Sequence, residues 1–188
     1  DTVRRQRQMC IRDSYWTHTR HDRHYMRLNT EDVRPEGHAT DIFSDWAADY
    51  ITSRAGKVQP WFCYLAFNAP HTPVQPPRAY LEKVLSREPG IDPTRAKLVA
   101  FIEHLDVGIG RVVDCVKKTG QAENTLIVFT SDNGGHKGSH AHCGPHRGFK
   151  QEMYEGGIAV PFCAVWPGHI APGSRSDLVA LTLSLIHI

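Results

Sequence analysis

The chain has 188 residues, with 22 Lys and Arg against 20 Asp and Glu, 12 His and a formal net charge of +2. No run of about eighteen apolar residues is present to span a membrane. Five cysteines without a Cys-x-x-Cys pair do not make a disulfide framework.

The first segment in chain order does not read as protein. Met9-Cys10-Ile11-Arg12-Asp13-Ser14 back-translates to DNA whose reverse complement encodes Leu183-Ser184-Leu185-Ile186-His187 and the start of an Ile codon, matching Ile188. Two ends of a protein have no biological reason to be complementary strands. The run from Arg4 to Gln8 fits the rest of a sequencing-library transposon adapter, which both ends resemble. Residues 1–14 and 183–188 are therefore set apart as artefactual, adapter-derived segments. Residues 1–14 carry four Arg and two Asp, so without them the charge falls by 2 to zero. The basic arm goes with them, and no nucleic-acid partner is expected. Cys63, Cys115, Cys143 and Cys163 remain.

Residues 15–37 are polar and rich in turn formers, which predicts a loop. In "TDIFSDWAADYITSR", Ile42, Phe43, Trp46, Ala47, Tyr50 and Ile51 recur at helical spacing, with Thr40 as N-cap. "WFCYLAF", 61–67, predicts a strand buried on both faces. Asp92-Pro93 reads as an N-cap followed by Pro at the first helical position. From there Leu98, Phe101, Ile102, Leu105, Ile109, Val112, Val113 and Val116 mark one apolar face. Lys117 and Lys118 suit the helix C-terminus and Gly120 the position after it. "TLIVFT", 125–130, predicts a second buried strand, and "IAVPFCAVW", 158–166, a third. Pro161 puts that third strand at an edge or on a bulge. Strands alternating with helices predict an α/β layer with largely parallel pairing.

Ligands of open α/β sheets gather beyond the carboxyl ends of the strands. The first strand leads to His71 in "NAPHTPVQPP", which alone also reads as a surface histidine in a proline-stiffened loop. The second leads to Asp132-Asn133, a carboxylate and an amide oxygen side by side, suited to a hard cation. Asn-Gly is equally a hairpin signal, although no apolar run resumes for more than twenty residues. In "HRGFKQEMYEGG", Lys150 or Arg147 offers positive charge to an anion, or simply forms a solvated basic loop. His136, His140, His142, Cys143 and His146 have zinc-compatible ligand types without paired zinc spacing.

Taken together, "CYLAFNAPHTPVQPP", "NTLIVFTSDNGG" and "HRGFKQEMYEGGIAVPFCAVWPG" resemble the sulfatase family, arylsulfatase type, over most of residues 37–175. The resemblance implies an α/β fold, a fragment of an alkaline-phosphatase-like domain with a largely parallel mixed sheet flanked by helices. Residues 15–182 would be the middle part of a sulfatase catalytic domain. The implied activity is sulfate monoester hydrolysis with one Ca²⁺ per site, Asp132 and Asn133 being two of its ligands. His71 would contact the sulfate ester and assist the leaving group; Lys150 would bind the sulfate oxygens and neutralise the departing alkoxide. Arg147, His146 and Glu155 lie inside the motif without a direct role.

The family's nucleophile is a formylglycine made from Cys, sometimes Ser, in a Cys-x-Pro/Ala-x-Arg setting. It is expected upstream of residue 15 rather than at Cys63, Cys115, Cys143 or Cys163. The paired aspartates, the lysine and the histidine that accompany it are expected there too, and a C-terminal subdomain beyond the chain. This chain by itself is thus expected to be inactive. Implied partners are a sulfated small molecule or sulfated glycan as substrate and a formylglycine-generating system; the implied location is periplasmic, secreted or lysosomal. A phosphomonoester or phosphodiester hydrolase of the same superfamily is one rival, although an amide in place of histidine favours a single hard cation. A non-catalytic metal-binding relative is another.

Overall fold

A computed structural model describes residues 14–20 and 23–180. The segments at 1–13 and 183–188 lie outside the described residues. The chain divides after Gly120 into two compact units.

In the first unit, residues 15–37 are more than a loop. They form two antiparallel pairs of two-residue strands, β1 (Thr19–Arg20) with β2 (Arg23–His24) and β3 (Arg27–Leu28) with β4 (Glu31–Asp32). Tyr15 and Met26 are fully buried, joining Ala39, Ile42, Phe43, Ala69 and Phe101 in one core. Two isolated large apolar residues leave no periodicity in a sequence, so the polar composition around them hid their role.

Helix α1 (Ala39–Arg54) starts one residue before the predicted cap. Its N-cap is His38, whose Nδ1 accepts from the Thr40 N–H at 3.1 Å, so the cap is an imidazole rather than the Thr40 hydroxyl. Sequence preference pointed to Thr because imidazole is not a favoured capping group. A second helix, α2 (Arg78–Arg87), follows the proline-rich segment and has only Val84 buried, too little apolar pattern to predict.

Helix α3 (Pro93–Lys118) matches its sequence signals closely. Asp92 accepts from the Arg95 N–H, Pro93 opens the helix, and Gly120 has φ +71 just beyond Thr119. Its buried face is Ala96, Leu98, Ala100, Phe101, His104, Gly108 and Val116, whereas Ile102 is exposed. The stripe therefore runs through small residues that the search for large apolar side chains passed over. Gly108 shows why: a Cβ there would lie 2.7 Å from Ser44 Oγ and 3.2 Å from Thr40 Cγ2 of α1. Glycine costs about 1 kcal/mol against alanine within a helix, a cost offset here by the close approach of the two helices.

Residues 61–67 alternate in exposure, with Phe62 and Tyr64 out and Trp61, Cys63, Leu65 and Phe67 half-buried. The segment joins none of the three two-stranded sheets among the described residues, so the expected buried strand is an extended segment here.

In the second unit, β5 (Ile127–Thr130) pairs antiparallel with β6 (Phe162–Val165), in register Ile127 with Val165 and Thr130 with Phe162. A mixed sheet contains antiparallel as well as parallel pairs, and all three pairings among the described strands are antiparallel. Pro161 precedes β6 instead of interrupting it, so no ladder donor is lost. Phe129 and Phe162 are about half exposed, which corrects the expectation of strands buried on both faces. Two strands and a four-residue helix, α4 (Glu155–Ile158), supply no layer to cover them.

Candidate functional site

Asp132 and Asn133 follow β5 directly, as predicted. The hairpin alternative fails: β5's partner is β6, and residues 131–161 lie between them. Instead the segment from Ser131 to Gly135 is laced to the segment from Arg147 to Gly157. The Gly134 N–H donates to Gly157 O at 2.9 Å and the Lys150 N–H to Gly135 O at 2.8 Å, while the Gly156 N–H closes the second segment on itself, donating to Arg147 O at 2.7 Å. These contacts explain the glycines. A Cβ on Gly134 would overlap the Gly156 carbonyl oxygen, and one on Gly156 the Gly148 carbonyl oxygen. The backbones meet so closely that only hydrogen fits between them.

This lacing brings Lys150 to within a hydrogen bond of the residue two places after Asn133. The Asn133 amide donates to Asp132 Oδ1 at 2.7 Å, leaving Asp132 Oδ2 and Asn133 Oδ1 without a hydrogen bond among the described residues. Oxygen-only donors suit Ca²⁺, which takes about 6–8 oxygen ligands, so this pair fits as part of such a shell. The Lys150 ammonium forms no ion pair among the described residues. Arg147, by contrast, is committed: its guanidinium lies 3.9 Å from the Tyr154 ring centroid and donates to the Tyr154 hydroxyl at 2.9 Å. Of the two cations suggested by the sequence, Lys150 is the one left for an anion.

The zinc-compatible set does not assemble. Among the described residues the one group of three or more with clustered ligand atoms is His38, Asp41 and His104, in the first unit. His136 Nδ1 is instead bonded to Ser139 Oγ at 2.9 Å, and His142 Nδ1 accepts from the Gly144 N–H at 3.0 Å. Cys143 packs against Gly135, its Sγ 3.1 Å from where a Cβ would stand. One correction belongs to the sequence itself. Cys143-Gly144-Pro145-His146-Arg147 does satisfy Cys-x-Pro-x-Arg letter by letter, contrary to the expectation that Cys143 lies outside that pattern. In the structure its sulfur packs within the loop and its arginine is held by Tyr154.

His71 belongs to the first unit, half-buried in the proline-rich loop. Its Nδ1 lies 2.7 Å from the Thr72 carbonyl oxygen. A carbonyl only accepts, so Nδ1 carries the proton and Nε2 is the nitrogen left to exchange one.

Sequence inspection missed the buried cluster behind that loop. His38 and His104 lie edge to face at 4.6 Å, and His104 Nε2 is 3.1 Å from both Asp41 carboxylate oxygens. Arg111 pairs with Asp41 and Asp45. The ligand atoms of His38, Asp41 and His104 fall within 4.8 Å of one another, and His104 Nδ1 has no partner. However, both His38 nitrogens are engaged, by the Thr40 N–H and Gln75 O, and the Arg111 guanidinium occupies the carboxylate. The cluster is thus an ion-paired core, not a cation site. Contacts spanning 63 residues leave no local signal in the sequence.

Burial pushes the His38 imidazole down from 6.5 to about 4, with His104 beside it acting in the same direction; burial lowers His18 as well. The folded protein therefore takes up these protons less readily than the unfolded chain. Stability is expected to be complete above pH 6.5 and to be lost as pH falls towards 4, by on the order of 3 kcal/mol for His38. Urea unfolding between pH 7.5 and 4.5 measures this; a flat profile would contradict it.

A groove of about 330 Å³ in the first unit is lined by Phe43, Trp46, Tyr50, Phe62, Tyr64 and Leu65 among others, and by none of the predicted site residues. No helix among the described residues is long and apolar enough to cross a membrane.

The family model described as Sulfatase matches residues 5–187. The chain is 38% identical over 147 residues to a sulfatase of Formosa agariphila, covering 73% of this chain and 26% of that protein. It is 32% identical over 164 residues to N-acetylgalactosamine-6-sulfatase of Mus musculus, covering 80% and 29%. The crystal structure of Ps i-CgsB in complex with k-i-k-neocarrahexaose superposes with a TM-score of 0.71 at 35% identity, covering 76% of this chain and 31% of that one. The fold is thus an α/β fragment of the alkaline-phosphatase-like type. The chain spans about a quarter to a third of the length of the relatives it matches. With its motifs laced together as described and the family match running almost end to end, the chain belongs to the sulfatase family.

Proposed function

We propose that the protein carrying this chain hydrolyses sulfate monoesters, and that this chain supplies part of its metal site, its sulfate-binding lysine and its leaving-group acid. The observation that carries this is the lacing of Ser131–Gly135 to Arg147–Gly157, which holds the backbone of Lys150 against Gly135, two residues past an all-oxygen donor pair. Asp132 and Asn133 would hold Ca²⁺, which supplies Lewis-acid stabilisation of the ester oxygens when bound. Lys150 offers fixed positive charge to the sulfate oxygens and to the leaving oxygen as it becomes anionic. Charge set in place beforehand needs no reorganisation as the S–O bond breaks. His71, with Nδ1 held by Thr72 O, presents Nε2 to pass a proton to that oxygen.

The nucleophile is proposed to be a formylglycine upstream of this chain, installed by a formylglycine-generating system, in a protein that works in the periplasm, outside the cell or in a lysosome. Cys143 is expected to stay a thiol, and peptide mass spectrometry of the whole protein reads both positions. An aldehyde at Cys143 would overturn that assignment. A sulfated glycan is the favoured substrate class, because one relative is named for N-acetylgalactosamine 6-sulfate and Ps i-CgsB was crystallised with k-i-k-neocarrahexaose.

The test is sulfate release by the whole protein from 4-nitrophenyl sulfate and from sulfated oligosaccharides, with and without a calcium chelator. Chelation and Asp132→Ala are each expected to lower turnover by about 100-fold or more, the scale for removing an electrostatic stabiliser from an active site. Release of phosphate from the matching phosphate esters, but not of sulfate, would favour the phosphohydrolase rival. The isolated 188-residue chain is expected to release neither.

A further inference from the structure

We propose that Tyr15 is a positioning residue for His71. The loop carrying His71 contains Pro70, Pro73, Pro76 and Pro77, which have no N–H to donate, so a backbone ladder cannot hold it. Side chains hold it instead. The Tyr15 hydroxyl donates to the His71 carbonyl oxygen at 3.1 Å, and the Tyr15 N–H donates to Gln75 Oε1 at 2.9 Å. His38 adds a third clamp, because its Nδ1 accepts from Thr40 and its Nε2–H therefore donates to Gln75 O at 3.1 Å. One tyrosine thus grips the loop at the histidine and again four residues on.

The anchor is rigid. Tyr15 is 2% exposed, stacked on His38 at 5.2 Å and edge-on to Phe101 at 4.8 Å. His38 rests in turn on His104, which is tied to Asp41. With the His71 carbonyl fixed by Tyr15 and Nδ1 fixed by Thr72 O, the imidazole is left little freedom in where it presents Nε2. A general acid misplaced by about 1 Å costs roughly 100-fold, so a clamp of this kind acts on rate through His71. Burial of an aromatic ring alone would not require its hydroxyl to end on that carbonyl.

The inference rests on the role proposed for His71, and the experiment separates the two. In the whole protein, kcat/KM is measured for 4-nitrophenyl sulfate and for phenyl sulfate, whose poorer leaving group depends more on a general acid. Variants are Tyr15→Phe, His71→Ala, the double variant and, should Tyr15→Phe fold poorly, Gln75→Ala. Tyr15→Phe is expected to lose about tenfold on phenyl sulfate and under about twofold on 4-nitrophenyl sulfate, within the range general acid catalysis contributes. In the His71→Ala background it should cost nothing further. Equal losses on the two esters, an additive loss in the double variant, or wild-type rates on phenyl sulfate would each overturn the role of Tyr15 while leaving that of His71 intact. Wild-type rates for His71→Ala on both esters would remove the role of His71 itself, and the positioning role with it.

Discussion

Alanine at Gly134 or Gly156 is expected to disable the site from within the backbone. At each position the added methyl would overlap a carbonyl oxygen, Gly156 O and Gly148 O respectively. A carbonyl embedded in a hydrogen-bonded segment cannot rotate aside as a flexible side chain can. Overpacking of this kind costs about 1–3 kcal/mol or more. The larger effect is on rate: relieving the clash at Gly134 parts the segment of Asp132 and Asn133 from that of Lys150, and relieving the clash at Gly156 distorts the Lys150 segment itself. A separation of about 1 Å is expected to lower kcat/KM of the whole protein by roughly 100-fold. Gly110 in α3 is the internal control, since nothing lies within 4 Å of a Cβ there. Gly110→Ala should leave turnover unchanged and raise stability by about 0.5–1 kcal/mol through helix propensity. Thermal unfolding and steady-state rates on the three variants decide the matter. Wild-type turnover in Gly134→Ala would show that the lacing does not set the site.

Lys150→Ala is the second large effect, with the opposite signature. What ties residue 150 to the fold is its backbone N–H on Gly135 O, which survives any substitution except proline. Stability is therefore expected to change by no more than about 0.5 kcal/mol, while kcat/KM falls by about 100- to 1,000-fold. Lys150→Arg should recover only part of the rate, because a planar fork does not place its charge where a compact ammonium does. Arg147→Ala should behave in reverse, losing its contact with Tyr154 and some stability before it loses turnover. Unfolding midpoints and kcat/KM for the three variants test the pair; equal rate losses at 147 and 150 would erase the distinction.

Much of this was legible in the sequence where the signals are local. Asp92, Pro93 and Gly120 bound α3 because capping and left-handed termination depend on neighbouring backbone. Asp132-Asn133 could be placed after a strand because an apolar run ending in Ser-Asp-Asn-Gly-Gly announces its own terminus. The capping role of His38 was not legible, because the preference for Thr is statistical and the imidazole was selected by its bond to Gln75. Nor was the buried stripe of α3, where Gly108 and His104 are core residues only because α1 lies against them. "WFCYLAF" and "TLIVFT" read as strands covered on both faces, yet Phe62, Tyr64 and Phe129 are exposed and 61–67 pairs with no strand among the described residues. Whether a face is covered depends on which elements pack against it, which a local apolar run does not record.

By itself, then, the sequence determined the family, the order of the motifs and the chemical types offered to the proposed site: oxygen donors at 132 and 133, an ammonium at 150, an imidazole at 71. Each of these follows from residue identity and short spacing. Only the tertiary structure decided that Lys150 rather than Arg147 is the free cation, that glycines at 134 and 156 are there for backbone contact, and that Tyr15 grips the loop of His71. Those outcomes depend on which atoms meet across 7 to 56 residues of chain. Such meetings are set by packing and hydrogen-bond closure, which no local spacing records.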